Sequence, residues 1–528
     1  MKSKQIYILD TTLRDGQQSP GAGMSFANNL YYAMLANKLK IDILESGFPS
    51  ASKNDFDIVQ AISKELADIQ SPMVISALCQ LREEQLYKTM DALAASLAIN
   101  RARIHMYVPV DPELMAVSLG KLADDKAGII ANANKMVSIA YKAGFEVQLS
   151  PEGYSRQGKN FDFTTDLISS AIEAGASVIN CPDTIGGASR YEEDYFLNKI
   201  KQHSEIMSRK YPNKNVTWSI HCHNDLGTAL DNTLNGVFSG IIGQIEGCIN
   251  GVGERAGNAS LEQCIMNIRQ FGFGNHLAHK VFTNIDISYL QEVSDFIAEH
   301  MLPRQPHSPI VGDNATTHTS GGHVNAILKN PLAYQPFDPA EIGGEITFVF
   351  GPLSGSNHAR QIILKHGYVC DDHEKVVITQ AIKDYYHDRR KGITNEELLS
   401  AYKVYREPIK VDKISYAKDN DSKLTALTLH GKFFDQQDVV IEYYGNGSAL
   451  NALSKTLEEL IPNLVILDYN ARSQSDGRDA SCHSHVVVSA GRDERYIGSA
   501  TDNDIEFSAI KALIAAANNV YIDINYKL

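Results

Sequence analysis

The sequence predicts an α/β protein: a (β/α)8 barrel, then a mostly helical accessory subdomain, then a C-terminal α+β domain. Three observations carry that prediction. Short runs rich in Ile and Val alternate with amphipathic stretches through the first half of the 528 residues. The alternation repeats about every 30 to 40 residues, the size of one βα unit. The apolar runs also end, one after another, in clusters of chemically capable polar residues.

The strand-like runs lie at 5–10, 41–45, 73–78, 102–108, 145–149, 177–181, 216–221 and 243–248. Between them, segments such as 54–69, 126–143, 164–174 and 228–239 carry apolar residues at helical spacing. Eight such units assign 1–275 to a TIM barrel, near the usual length of about 250 residues. The pattern then changes. A helix is predicted at 285–300, a stretch rich in Pro, Gly and His follows at 303–360, and 374–405 reads as helical. Residues 276–400 are therefore assigned to a linker and accessory subdomains. In 401–528, strand-like runs at 414–416, 424–429 and 439–444 lead to a helix at 447–460, and runs at 464–469 and 483–490 lead to a final helix at 505–518. Two strand-then-helix halves imply an internal pseudo-repeat.

Composition narrows the function. With 43% hydrophobic and 21% charged residues the chain has an ordinary globular balance. Its net charge of −14 argues against nucleic acid or an anionic membrane as partner. An anionic substrate would then need a locally positive site, built from a metal, arginines or helix N-termini. Seven cysteines, an odd number without a CxxC pair, fit a reducing compartment. The N-terminus shows no signal-peptide pattern. No apolar run reaches the roughly 18 residues of a membrane span, so a cytoplasmic location is expected.

The strand ends supply the chemistry. The first leads into Asp10-Thr11-Thr12-Leu13-Arg14-Asp15-Gly16, the second into Glu45-Ser46-Gly47, and the third ends near Cys79-Gln80. The fourth carries His105, the fifth ends in Ser150-Pro151-Glu152, and the sixth in Asn180-Cys181-Pro182-Asp183-Thr184. The seventh ends in His221-Cys222-His223-Asn224-Asp225, and the eighth leads into the segment Asn250 to Asn258. In a TIM barrel all these ends converge on the face that holds the active site. Side chains at i and i+2 of a strand share a face, so His221 and His223 can point at one metal. With Asp15 they supply the ligand types of a divalent site, open to Zn²⁺, Mn²⁺, Co²⁺ or Mg²⁺. Arg14 can stabilise an oxyanion or hold a carboxylate, or pair with Glu45 or Glu152. Ser150 and Thr184 offer hydroxyls to a substrate carboxylate. The Gly-rich stretch 251–257 lacks the strand–GxGxxG–helix arrangement of a dinucleotide site. Its glycines read instead as shaping a turn that presents Asn258 and backbone N–H groups, which could also meet cofactor phosphates.

Asp10-Thr11-Thr12-Leu13-Arg14-Asp15-Gly16-Gln17-Gln18 resembles the signature of the DRE-TIM metallolyase family. His221-Cys222-His223-Asn224-Asp225-Leu226-Gly227 and Asn250-Gly251-Val252-Gly253-Glu254-Arg255-Ala256-Gly257-Asn258-Ala259 resemble the second signature of its acetyl-CoA-dependent synthase branch. The resemblance implies Asp15, His221, His223 and Asn258 as the metal site, with Arg14 and Glu152 handling an oxyanion and its positioning. It implies that His105, Ser150 and Thr184 contact a 2-oxo acid, that Asn250 lies near the site, and that Leu78 lines the aliphatic end of the pocket. Pro309-Ile310-Val311-Gly312-Asp313-Asn314-Ala315, His318-Thr319-Ser320-Gly321-Gly322-His323 and Tyr334-Gln335-Pro336-Phe337-Asp338-Pro339 resemble the family's subdomain motifs, which makes His323 and Tyr334 catalytic. The chain departs from the pattern at Val324 and Asn325, where Gln or Lys and then Asp are usual.

Gly445-Asn446-Gly447, Leu467-Asp468-Tyr469 and Gly498-Ser499-Ala500-Thr501-Asp502 resemble a leucine-sensing regulatory domain. The implied reaction is a Claisen condensation of acetyl-CoA with 2-oxoisovalerate followed by thioester hydrolysis, the committed step toward leucine. Pyruvate, in a citramalate-forming enzyme, or a homocitrate-type substrate is the alternative. His323, Tyr334 and Glu152 are each candidates for the base. A divalent metal, a monovalent K⁺, feedback by leucine and a homodimer complete what the resemblance implies.

Overall fold

The computed structural model describes residues 3–275, 277–389, 392–419, 421, 424–473, 481–491 and 494–528. Eight parallel strands close a barrel in chain order. They are β1 (Tyr7–Asp10), β2 (Ile43–Glu45), β3 (Val74–Gln80), β4 (Ala102–Pro109), β5 (Glu146–Glu152), β6 (Val178–Asp183), β7 (Thr217–Cys222) and β8 (Gln244–Gly247). Each overlaps a run expected from the sequence, and β8 pairs back onto β1 through Tyr7 with Gln244.

The principal helices between strands are α1 (Phe26–Lys38), α2 (Lys53–Asp68), α3 (Glu83–Ala92), α4 (Lys126–Lys142), α5 (Phe161–Ala174), α6 (Phe196–Lys210) and α7 (Ala229–Phe238), and α8 (Leu261–Phe271) follows the last strand. Their starts are set by side chains that satisfy orphan N–H groups. Ser25 accepts from the Asn28 N–H, Ser52 from Asp55 and Asp125 from Gly128. Strand residues Ile8, Leu44, Ile75, Ile104, Val147, Ile179, Ile220 and Ile245 are buried against helix residues such as Leu35, Ile62, Val137, Leu167 and Ile265.

The barrel's buried set departs from the branched apolar layers usual in this fold. Arg103, Gln148, Asn180, Ser219, Gln244 and Glu246 are all at most 5% exposed. Arg103 donates to Gln148 and Gln244, and the Gln148 and Gln244 amides donate to Glu246. Such groups are tolerated inside because they bond to one another.

By contact density the chain forms two units, Met1–Thr316 with Phe337–Ile346, and Thr317–Pro336 with Thr347–Leu528. Beyond the barrel, the first unit contains α9 (Leu290–His300), which covers most of the helix expected at 285–300. The second unit contains α10 (Gly321–Ile327), inside the stretch rich in Pro, Gly and His, and α11 (Ser356–Lys365), which begins at its end. The helical segment expected at 374–405 is two helices, α12 (Lys375–Tyr385) and α13 (Asn395–Arg406). A capping box between Thr394 and Glu397 starts the second.

Two three-stranded antiparallel sheets follow in the same unit, β9 (Ile409–Lys418), β10 (Leu424–Phe433) and β11 (Gln436–Asn446), then β12 (Leu464–Ser473), β13 (Cys482–Ala490) and β14 (Tyr496–Asp502). Helix α14 (Ala449–Leu460) follows the first sheet and α15 (Ile505–Tyr526) the second. The sequence reading lacked β14 and ended the last helix at 518. Helix α15 continues past Asn518, whose side chain pairs with the backbone of Ile409 in both directions. Four residues on, Ile522 is buried with Phe350, Ile363, Leu398 and Tyr402.

Candidate active site

Asp15 is delivered by a tight turn after β1. The Thr11 carbonyl accepts from the N–H groups of Arg14, Asp15 and Gly16 at 3.0, 2.9 and 3.2 Å. Behind the turn, the buried Asp10 carboxylate accepts from the Thr12 N–H at 2.9 Å and from the Tyr32 hydroxyl at 2.5 Å. The repeated threonines therefore serve the turn: Thr12 Oγ1 also accepts the Ile249 N–H at 2.9 Å and ties β1 to the segment after β8.

His221 is the penultimate residue of β7 and His223 lies just past its end, opposite Asn258 across an isolated backbone bridge. Asp15 Oδ2 lies 3.4 Å from His221 Nε2 and 3.8 Å from His223 Nε2, and the two Nε2 atoms are 3.3 Å apart. Asn258 joins them through the Gly-rich turn. Its Nδ2 donates to the Val252 carbonyl at 3.1 Å and to Cys248 Sγ at 3.4 Å. A side chain at Gly253 would place its Cβ 2.2 Å from that nitrogen, and one at Gly257 would meet the Gly251 carbonyl at 2.0 Å. Glycine at both positions lets the loop bring Asn258 beside His223.

Asp15 Oδ1, His221 Nδ1, His223 Nδ1 and Asn258 Oδ1 are all buried without a hydrogen-bond partner. A carboxylate oxygen and an amide oxygen without donors, grouped with two imidazoles, offer a mixed N/O donor set of the kind that suits a divalent cation. Burial would raise the Asp15 carboxyl, but Arg14 and His221 hold it well below the ordinary carboxylate range. Burial and the neighbouring His221 push His223 down to about 3, which keeps its ring neutral and able to ligate. The four residues fit a metal.

Arg14 donates from Nε to Glu45 at 2.7 Å and from a terminal nitrogen to Asp15 at 3.0 Å. Of the two ion-pair partners the sequence suggested, Glu45 holds it. Glu45 also accepts from Thr11 at 2.6 Å and meets His105 Nδ1 at 2.5 Å. His105 Nε2 meets Ser150 Oγ at 2.6 Å, and Asn180 Nδ2 donates to Ser150 Oγ and to Glu246 Oε2. A single assignment satisfies this chain: His105 donates from Nδ1 and accepts the Ser150 hydroxyl proton at Nε2.

These groups line a cavity of about 250 Å³. Nine of the residues singled out from the sequence line it: Arg14, Asp15, Leu78, His105, Ser150, Glu152, Thr184, His221 and His223. Tyr107, Asn180, Pro182, Glu246, Gln18 and Glu254 line it as well and were missed. Signals for some of these existed. Tyr107 is two residues from His105 on one strand face, and Asn180 opens the polar end of β6. Glu152 has its carboxyl pushed up by burial. With Tyr107 it also lines an adjoining cavity of about 620 Å³.

Two expectations need correction. Asn250 does not line the cavity: its amide donates to the Ser294 carbonyl at 2.8 Å and its oxygen accepts the Ser294 hydroxyl, binding the turn to α9. The asparagine that lines the cavity is Asn180. Glu152 is not the residue that fixes Arg14: Glu45 and Asp15 accept the hydrogen bonds of its guanidinium, and Glu152 feels only its charge. His323 and Tyr334 belong to the second unit, where their rings stack at 3.9 Å and 19°. The departure at Val324 and Asn325 has a structural basis there: Val324 is buried, and Asn325 accepts from Asn357 at 3.1 Å.

Residues 5–297 match the HMGL-like family, 310–391 the homocitrate synthase post-HMGL domain-like family, and 393–521 the LeuA allosteric (dimerisation) domain. A TIM barrel with this site, joined to those two domains, defines the class as an HMGL-like enzyme with an allosteric C-terminal domain. Relatives extend over nearly the whole chain. A 2-isopropylmalate synthase of Lysinibacillus sphaericus is 32% identical over 98% of this chain and 97% of its own. One of Heliobacterium modesticaldum is 32% identical over 99% and 98%. The chloroplastic 2-isopropylmalate synthase 2 of Arabidopsis thaliana is 31% identical over 98% and 83%. The chain belongs to the 2-isopropylmalate synthase family, transferases of leucine biosynthesis. Among the described residues no helix is long and apolar enough to cross a membrane.

Proposed function

We propose that the chain condenses acetyl-CoA with 2-oxoisovalerate and hydrolyses the thioester, giving 2-isopropylmalate and free CoA. One observation carries the reading: the unpartnered Asp15 and Asn258 oxygens stand with the Nε2 atoms of His221 and His223 beside a cavity bounded by Arg14, His105 and Ser150. Asp15, His221, His223 and Asn258 would hold a divalent ion, Mn²⁺, Mg²⁺, Zn²⁺ or Co²⁺. When bound, the ion supplies Lewis acidity toward the keto group of the 2-oxo acid. A role for K⁺ rests on family resemblance alone.

His105, Ser150 and Thr184 bind and orient the 2-oxo acid through its carboxylate. Leu78 and Pro182 give its isopropyl group an apolar wall. Glu152, whose carboxyl burial makes more basic, takes a proton from the acetyl methyl group. The resulting enolate attacks the keto carbon, and the Arg14 guanidinium donates to the oxygen that becomes an alkoxide. Water then cleaves the thioester and the thiol leaves with a proton. Leucine acts as feedback inhibitor through the C-terminal domain, and the chain works as a homodimer; the match to an allosteric dimerisation domain supports both.

The test is thiol release from acetyl-CoA with 2-oxoisovalerate, pyruvate and 2-oxoglutarate in turn, with and without chelator. Release is expected with 2-oxoisovalerate above the others, abolished by chelator and restored by a divalent ion. A higher kcat/KM for pyruvate would overturn the substrate assignment. Release that survives complete chelation would overturn the metal.

A further inference from the structure

Glu246 on β8 is 1% exposed, and its two oxygens face different neighbours. Oε1 accepts from Gln148 at 2.5 Å, Gln244 at 3.2 Å and Ser219 at 3.3 Å. Oε2 accepts from Asn180 Nδ2 at 3.1 Å and lies 3.7 Å from His221 Nδ1. His221 turns its other nitrogen, Nε2, toward Asp15 and His223. A ring that ligates through Nε2 carries its proton on Nδ1, and that nitrogen is buried with no hydrogen-bond partner. Among the described residues, Glu246 is the acidic group that faces it. The gap exceeds a hydrogen bond by about half an ångström.

The same Oε2 fixes the amide end of Asn180, whose Nδ2 also donates to Ser150 Oγ at 2.9 Å. One carboxylate therefore bears on a metal-site imidazole and on the residues proposed to hold the 2-oxo acid. We infer that Glu246 is a positioning residue: it sets the Nδ1–H tautomer and tilt of His221 and orients Asn180 toward Ser150. The inference rests on the metal-centred reading above. Carboxylates behind ligating histidines fix ring orientation and raise ligand basicity, and their loss costs about tenfold to hundredfold in metal affinity. Glu246 differs from such a partner in also holding the substrate side of the cavity, so its removal should weaken the 2-oxo acid as well as the metal.

The test uses the full chain and Co²⁺ as probe. Glu246→Gln and Glu246→Asp are compared with wild type by calorimetric Co²⁺ affinity, by the visible absorption of the Co²⁺-loaded protein and by KM for each substrate. Co²⁺ affinity is expected to fall about tenfold or more, the absorption band to shift, and KM to rise for the 2-oxo acid but not for acetyl-CoA. Gln148→Ala, which removes a donor from Oε1 without touching His221, should bind Co²⁺ as wild type does. Thermal unfolding of the metal-free variants, followed through Trp218, separates these effects from loss of fold. A folded Glu246 variant with wild-type Co²⁺ affinity and spectrum overturns the inference. Should neither variant fold, ¹⁵N-histidine spectra of the Zn²⁺-loaded wild type decide: an Nδ1 proton on His221 shifted downfield by a carboxylate acceptor is expected, and one at the shift of an unbonded imidazole N–H overturns it. A wild-type chain that binds Co²⁺ but releases no thiol defeats the synthase reading and leaves this one standing. A wild-type chain that binds no Co²⁺ defeats this one.

Discussion

Glu45 Oε2 accepts the Nε–H of Arg14 at 2.7 Å, with the carboxylate side chain 0% and the guanidinium 12% exposed. The same carboxylate meets His105 at 2.5 Å and Thr11 at 2.6 Å. Glu45 thus links the arginine expected to meet the developing oxyanion to the histidine expected to hold the 2-oxo acid.

Glu45→Gln should therefore damage both fold and rate. Removing one member of a buried pair leaves the other charge undercompensated, at a cost of about 3 kcal/mol. Asp15, which also pairs with Arg14, offsets part of this. Trp218, the single tryptophan, lies buried on β7 and reports barrel unfolding. Its fluorescence in a urea titration should show a lower midpoint, and kcat/KM for the 2-oxo acid should drop at least tenfold. An unchanged midpoint would mean that Asp15 alone balances Arg14.

Asp42 gives the barrel a pH dependence of known sign. Burial pushes its carboxyl up to about 6, against accepted bonds from the Ile8 N–H and Gln5. The native state therefore keeps a proton that the unfolded chain releases near pH 4. Stability falls as pH rises from about 4 through 6, by on the order of 2 kcal/mol at pH 7. Asn at this position keeps an acceptor for Ile8 and loses the titration. The Asp42→Asn midpoint, read through Trp218, should gain on wild type between pH 5 and 7. Parallel pH profiles for the two proteins would refute the assignment.

Much of the barrel was legible in the sequence because its strands read as apolar runs and end in reactive side chains. The grouping of Asp15, His221 and His223 was legible for the same reason, since His221 and His223 share a strand face and Asp15 follows the first strand. Asn258 and Asn180 were harder. Both the Gly-rich turn and the end of β6 offer asparagines, and only the packing of Asn250 against Ser294 shows which one faces away. Strand β14 escaped because Tyr496-Ile497-Gly498-Ser499-Ala500-Thr501-Asp502 is poor in branched apolar residues. The polar bonds within the barrel, from Arg103 through Gln244 to Glu246, have no periodic signature beyond alternation along short strands.

Leu78 gives a test of specificity. It is 8% exposed on β3 and lines the cavity with Pro182. Leu78→Ala should admit a longer aliphatic tail. Each methylene in such a pocket is worth about 1–3 kcal/mol, so the ratio of kcat/KM for 4-methyl-2-oxopentanoate over 2-oxoisovalerate should rise about tenfold. A ratio that does not move would place the aliphatic wall elsewhere in the cavity.

The proposed regulation by leucine calls for a milder test than removing the C-terminal domain. Deleting 401–528 would also withdraw Ile522 from the core around Phe350, Leu398 and Tyr402, so lost inhibition could reflect a damaged subdomain. Gly498 offers a local alternative. A Cβ there would lie 2.1 Å from the Ala512 carbonyl oxygen and 2.3 Å from the Ala516 nitrogen, both on α15. Gly498→Ala must part β14 from that helix, and overpacking of this kind costs about 1–3 kcal/mol. The strain falls within the allosteric-domain match at 393–521, while the barrel residues 5–297 are untouched in sequence. The leucine concentration for half-inhibition should rise at least tenfold, with the rate in the absence of leucine within about twofold of wild type. Inhibition at the wild-type concentration, in a variant whose far-ultraviolet circular dichroism melt shows the C-terminal domain loosened, would place leucine binding away from the β14–α15 contact.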